Sequence, residues 1–146
     1  LQRAFSVIVW DSSGRQLLQK RAATKYHSGG LWTNACCGHP RPGETAAAAA
    51  ARRLAEEMGF VCPLEWLGTV QYHAAFENGL AENEIVHVFR GRYDGPLQPD
   101  PAEAEGYQWC GLERIRSDIA AAPDRFSVWF LRYMAEEWPV ALMPPA

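Results

Sequence analysis

Residues Ala4 to Trp10 are almost all apolar, β-branched or aromatic, Asp11-Ser12-Ser13-Gly14 supplies turn chemistry, and Gln16 to Arg21 resumes an extended pattern. This predicts a β-hairpin at the start of the chain. Ala22 to Gly30 is polar and closes on Ser28-Gly29-Gly30, the composition of a loop displaying Lys25, Tyr26 and His27. Leu31 to Cys37 is short and apolar enough for a buried strand. From Thr45 the chain runs through six alanines, Ala46 to Ala51, to Met58 and stops at Gly59, which predicts a helix with a glycine stop. Small side chains on that helix allow close approach to a sheet.

Leu64 to Phe76 and Glu84 to Tyr93 read as longer strands either side of the turn-prone Glu77-Asn78-Gly79. Gly95 to Pro101 is a proline-rich connection, and Tyr107 to Cys110 reads as another short buried strand. A helical segment around Leu112 to Ala121 follows. The last helix is predicted over Ser127 to Trp138, with apolar positions at Trp129, Phe130, Tyr133 and Met134 and Pro139 just beyond. No repeat and no dividing linker interrupts the series, so residues 1–146 read as one domain mixing strands and helices.

Composition narrows the classes. With 146 residues, 48% hydrophobic, 21% charged and a net charge of −3, the chain is sized for a soluble core. Disorder, collagen, coiled coil and a membrane span of roughly 18 apolar residues are excluded. The mildly acidic balance lacks the basic footprint of nucleic-acid binding, while leaving room for a local basic pocket for a phosphorylated ligand. Cys36, Cys37, Cys62 and Cys110 offer neither a disulfide framework, two of them being adjacent, nor a C-x-x-C zinc pair. With no charged-then-apolar leader, the expectation is a reducing, cytoplasmic setting.

The most informative stretch is Gly38, five residues, Glu44, seven residues, then Arg52, Leu54, Glu56, Glu57, Gly59 and Phe60. A loop leading into a helix that carries acids places carboxylates where they can share a hard cation such as Mg²⁺, which in turn can hold a diphosphate. Taken alone, Glu56 and Glu57 are equally well read as a solvated helix face. Together with the loop glycine, Glu44 and the glycine stop, they resemble the signature of the Nudix superfamily. The one departure is Arg53, where Nudix hydrolases carry a metal-ligating glutamate. A guanidinium there suits holding a diphosphate better than cleaving one.

Further motifs resemble the type I isopentenyl-diphosphate isomerase family: Trp32 to Pro40, Glu82-Asn83-Glu84, Tyr107-Gln108-Trp109, and Phe126-Ser127 with Trp129. The resemblance runs in order over nearly the whole chain. It implies an α/β (α+β) Nudix fold, an α/β/α sandwich around a mixed sheet. It also implies conversion of isopentenyl to dimethylallyl diphosphate, by adding a proton at one carbon and removing one at another. Such chemistry needs opposed acid/base groups, a shielded cavity and an anchored tail.

On this resemblance Cys37 and Glu84 match the proton-transfer pair, Tyr72 would assist Glu84, and Trp129 would stabilise the developing cation with its π face. Arg21, Lys25 and Arg53 match contacts to the diphosphate, and Trp32 would line the hydrocarbon pocket. His39, Glu82 and Glu84 match ligands of a divalent-metal site for Mn²⁺ or Zn²⁺, and Glu57 the residue that helps hold Mg²⁺ with the diphosphate. Cys36, Cys62 and Cys110 stay small buried hydrophobes. His27, His73 and His87 match no role, His87 being most simply a packing or surface histidine. The family's two N-terminal histidine ligands have no counterpart here: one position is Gln2, the other lies upstream of Leu1 in a segment read as absent. The expected partner is a small isoprenoid diphosphate, with no nucleic acid and no membrane, the chain acting as a monomer or weak homo-oligomer. Two alternatives stand beside this reading: a Nudix hydrolase of a nucleoside diphosphate derivative, and a diphosphate-binding Nudix domain without turnover.

Overall fold

The computed structural model describes residues 2–25, 27–75, 79 and 81–135, and the side chains of these except Gln2, Tyr72, Ala74, Ala75, Ala81 and Glu82. Seven strands, β1 (Gln2–Trp10), β2 (Arg15–Arg21), β3 (Trp32–Thr33), β4 (Cys36–Gly38), β5 (Leu64–Ala75), β6 (Ala81–Arg92) and β7 (Ala104–Gly111), are joined by helices α1 (Ala46–Met58), α2 (Leu112–Ala121) and α3 (Val128–Ala135). The strands lie in the order β3-β2-β1-β6-β5, with β4 added beside β1 and β7 beside β2. The sheet is mixed: β6 runs parallel to β1 along its whole length, from Gln2 opposite Glu84 to Trp10 opposite Arg92, and the other pairings are antiparallel.

The near-continuous apolar run of β1 is explained by burial on both faces. Phe5, Val7 and Val9 pack with Ala49, Ala50, Leu54 and Met58 of α1. Ala4, Ile8 and Trp10 pack with Ile115 of α2 and Phe130, Tyr133 and Met134 of α3. This is the expected α/β/α sandwich. No described helix is long and apolar enough to cross a membrane.

Helix α1 starts where Thr45 Oγ1 accepts from Ala48 N (3.1 Å) and ends at Gly59, which adopts a left-handed conformation with φ 74°. Four expectations are corrected. The predicted hairpin is paired only at Trp10 and Gln16, after which β4 takes the place beside β1 and β2 turns to β7 and β3. The strand over Leu31 to Cys37 is two, because Asn34 turns inward and its Nδ2 donates to the backbone oxygens of Val7 (2.9 Å) and Cys36 (3.1 Å). His27 is not displayed but only 8% exposed, whereas Tyr107 on the supposedly buried strand is 44% exposed. Of the final helix, the stretch after Ala135 lies outside the described residues, as do Glu77 and Asn78 of the turn between β5 and β6.

A Cβ at position 59 would stand 2.4 Å from the backbone oxygen of Gln98, in a conformation that already disfavours side chains. Gly59→Ala is therefore expected to destabilise the fold by about 2 kcal/mol or more. Thermal denaturation checks this as a drop in Tm of roughly 4–8 °C.

Candidate active site

Strand pleating separates the two adjacent cysteines. In the β1–β4 register, Ser6 faces Cys37 and Val7 faces Cys36, so the thiols project to opposite faces of the sheet. Cys36, fully buried, points toward α1 and donates to Glu57 Oε2 at 3.3 Å. Cys37 lies 3.2 Å from Ser6 Oγ and 3.4 Å from Asn34 Oδ1. Burial pushes its thiol up to about 11, against the opposing pull of those two hydrogen bonds.

On the other edge of β1 the parallel register sets Glu84 beside Gln2. Glu84 is 4% exposed, and its Oε1 lies 2.8 Å from Nε2 of the more open His39, which follows β4. Cys37, His39 and Glu84 thereby line one cavity of about 290 Å³ at the start of β1, a volume at the small end of ligand sites. Ala4, Phe5 and Val86 form apolar wall, α3 contributes Trp129 and Tyr133, and Arg21, Lys25 and Arg53 bring positive charge.

The acids of the Gly38–Phe60 signature are held by guanidinium groups. Glu44 accepts from Arg52 at 2.8 and 2.9 Å, and these bonds hold its carboxyl down to about 2. Arg53 reaches Glu56 (2.8 Å), Glu57 (3.1 Å) and Glu103 (3.2 Å). Burial opposes the charge on Arg53, but the three carboxylates outweigh it and hold it well above the usual arginine range. Burial pushes the Glu57 carboxyl up, with Arg53 pulling it back. Glu103 also pairs with Lys25, bridging two of the cavity's cations.

Arg21 Cζ sits 5.1 Å from the centroid of the Trp129 ring, a cation–π contact at the cavity wall. Arg21 Nε and Trp129 Nε1 are buried donors with no hydrogen-bond partner among the described residues. His27 meets Trp129 edge-on, with ring centroids 5.9 Å apart.

Of the residues expected from sequence, Cys37, Glu84, Trp129, Arg21, Lys25, Arg53 and His39 come together in the cavity wall. Trp32 does not: it packs against the core cluster containing Trp129 and Phe130, its carbonyl accepting from Ser127 N at 2.9 Å. Glu57 sits behind the wall, its carboxylate taken by Arg53, Gln19 and Cys36. The side chains of Tyr72, Glu82 and Gln2 lie outside the described residues. Sequence reasoning missed Ser6, Asn34, His27, Glu103 and Tyr133. Among the described residues no three His, Cys, Asp or Glu side chains converge as a metal cage. His39 and Glu84 nonetheless form a nitrogen–oxygen donor pair whose chemistry fits a divalent ion.

The sequence profile of the NUDIX domain matches residues 1–130, which gives the class to which this sandwich and its signature helix belong. Among curated relatives, Isopentenyl-diphosphate Delta-isomerase 2 of Photorhabdus laumondii subsp. laumondii is 52% identical over 145 residues, covering 94% of this chain and 82% of the relative. Isopentenyl-diphosphate Delta-isomerase of Burkholderia multivorans is 52% identical over 130 residues, 89% of this chain and 74% of the relative. The crystal structure of a MutT protein from Methanosarcina mazei superimposes with a TM-score of 0.73 at 20% identity, over 93% of this chain and 94% of that one, a likeness of fold. The chain belongs to the isopentenyl-diphosphate Delta-isomerase family of Nudix proteins.

Burial, reinforced by the nearby charges of Arg21 and Lys25, lowers His27 from 6.5 to about 4. The unfolded chain therefore binds this proton more readily than the folded one, and stability contributed by neutral His27 is lost as pH falls from about 6.5 toward 4. His27→Gln is expected to flatten the fall of the urea midpoint across that window, and the His27 ring resonances should titrate near pH 4 in NMR.

Proposed function

We propose that this cavity converts isopentenyl diphosphate to dimethylallyl diphosphate, a step of isoprenoid biosynthesis, with Cys37 and Glu84 as the opposed proton-transfer pair. The observation that carries the reading is that these two side chains reach one cavity from strands on opposite edges of β1, with the Trp129 ring on the same wall. One of the pair adds a proton to the terminal alkene carbon, leaving tertiary-cation character at the branched carbon. The other removes a proton from the carbon next to the diphosphate-bearing one, and the electron pair of that C–H bond becomes the new double bond. Running the reaction backwards exchanges the two roles.

Between the two transfers the cation needs an electron-rich neighbour that does not react with it. Trp129 offers its face; a desolvated cation–π contact is worth about 2 kcal/mol, roughly thirtyfold in rate. The apolar wall of Ala4, Phe5 and Val86 keeps water from the cation. Arg21, Lys25 and Arg53 anchor the diphosphate, and the buried N–H groups of Arg21 and Trp129 are donors for its oxygens. Tyr72, on β5 and opposite Glu84 in the register, assists that carboxyl. Trp32 packs against the apolar cluster to which Trp129 belongs and is not part of the described cavity wall.

His39, Glu84 and Glu82 are the residues that would hold a divalent metal, Mn²⁺ or Zn²⁺, and Glu57 the one that would hold Mg²⁺ with the diphosphate. Such ions, when bound, supply positive charge that polarises the Glu84 carboxyl and neutralises the phosphates. Hydrolysis is disfavoured by Arg53, which stands where the hydrolase signature carries an acid and leaves the helix one carboxylate fewer for a water-activating ion. Four cysteines free of disulfides suit a cytoplasmic setting.

Isopentenyl diphosphate incubated with the protein in D₂O, Mg²⁺ and either Mn²⁺ or Zn²⁺ is expected to give deuterated dimethylallyl diphosphate by NMR. Release of phosphate without isomer would instead identify a hydrolase, and binding without either product a silent domain. Cys37→Ala should lower kcat by about a thousandfold or more while diphosphate binding, followed by calorimetry, persists.

A further inference from the structure

Cys37 is gripped from two sides by groups that no role above uses. On one side, Asn34 spends both Nδ2 hydrogens on the backbone oxygens of Val7 and Cys36, so its orientation is fixed and Oδ1 faces outward as an acceptor. That oxygen accepts from Thr33 Oγ1 (3.0 Å) and lies 3.4 Å from Cys37 Sγ. Ser127, immediately before α3, donates in turn to Thr33 at 2.8 Å. On the other side, Ser6 Oγ stands 3.2 Å from Cys37 Sγ and 2.7 Å from the hydroxyl of Tyr133, one turn beyond Trp129 on α3. Ser6, Asn34 and Tyr133 are all buried.

The fixed acceptor gives the chain a direction. A thiol has one hydrogen, and Asn34 Oδ1 can only receive it, so the Ser6 hydroxyl must donate to the sulfur. Ser6 then has only its lone pairs left for Tyr133, whose hydroxyl donates to them. The polarity therefore runs from Tyr133 through Ser6 to the sulfur. A sulfur that loses its proton during turnover keeps a hydrogen-bond donor aimed at it without any rearrangement, the arrangement that best stabilises developing charge. Both arms also end on α3, so the helix that presents the Trp129 face is tied to Cys37 at two points.

We propose that Ser6 and Tyr133 are positioning residues for Cys37, a donor pair that stabilises and orients its sulfur while the proton is away. This rests on the isomerase reading for its kinetic consequence, but the geometry it asserts is testable without turnover. In steady-state isomerase assays, Ser6→Ala and Tyr133→Phe should each lower kcat about ten- to a hundredfold, with KM for isopentenyl diphosphate unchanged within about twofold. The loss in the double variant should be smaller than the product of the two single losses, because the Tyr133 hydroxyl acts on Cys37 through Ser6. Unchanged kcat in both single variants, a loss confined to KM, or losses that multiply in the double variant would overturn the proposal. The turnover-independent readout is the sulfhydryl stretching band of Cys37 in infrared spectra, isolated as the difference from Cys37→Ala. A shift of that band in Ser6→Ala and in Tyr133→Phe supports the donor chain even if the wild-type protein fails to isomerise; an unmoved band overturns it.

Discussion

β1 is hydrogen-bonded along both edges and packed on both faces, and each part of the candidate site is placed by reference to it. Its pairing with β4 brings Cys37 opposite Ser6; its pairing with β6 brings Glu84 opposite Gln2. Because side chains alternate along a strand, a slip of one residue in either pairing would turn the reactive group to the wrong face. Burial on both faces also explains why β1 is apolar from Ala4 to Trp10 except for the serine in its middle. Ser6 is a polar group that a doubly buried strand accepts only because its hydroxyl is fully occupied.

The second organising feature is the replacement of mobile charge by fixed charge. Glu44, Glu56, Glu57 and Glu103 form a carboxylate cluster that repels itself unless cations are interleaved, and here Arg52, Arg53 and Lys25 supply them from within the chain. Arg53 does so at the position where sequence comparison with Nudix hydrolases anticipates a further acid. The helix thereby keeps its place in the sandwich while its charge is inverted at one position of the signature. Likeness to a solved structure at 20% identity speaks to the sandwich, and identity of 52% to a curated relative speaks to the family.

Local signals were readable in the chain and long-range pairings were not. The alanine run between Thr45 and Gly59 carries its own cap and stop, so α1 is legible to the residue. The helix α2 has the expected bounds, whereas β6 begins at Ala81, three residues before the expected Glu84. By contrast, Asn34 breaks a strand because of bonds to Val7, 27 residues away in the chain. His27 meets Trp129 of α3, and Trp32 packs against the cluster around Trp129 and Phe130, contacts without any local trace. Cys37 and Glu84 were legible through the family resemblance of the motifs that carry them. Ser6 and Tyr133 were visible only as a strand serine and an apolar helix position, since their significance lies in the β1–β4 register and in the docking of α3. Glu103 sits in a loop with no pattern of its own, and its value comes from bridging Lys25 to Arg53.

The opposed projection of Cys36 and Cys37 bears on how such a protein ages under oxidants. A disulfide needs its two sulfurs about 2 Å apart, and neighbours directed to opposite faces of a pleated strand do not meet that distance without breaking the sheet. The thiol adjacent in sequence is thus withheld as a resolving partner, and it is spent on Glu57 instead. An oxidised Cys37 has no quick internal route back to the thiol through Cys36, so damage at that sulfur would proceed along the irreversible branch unless an external reductant reaches the cavity. The pleat that sends Cys37 to the cavity and Cys36 to α1 also leaves Cys37 dependent on the redox state of its surroundings.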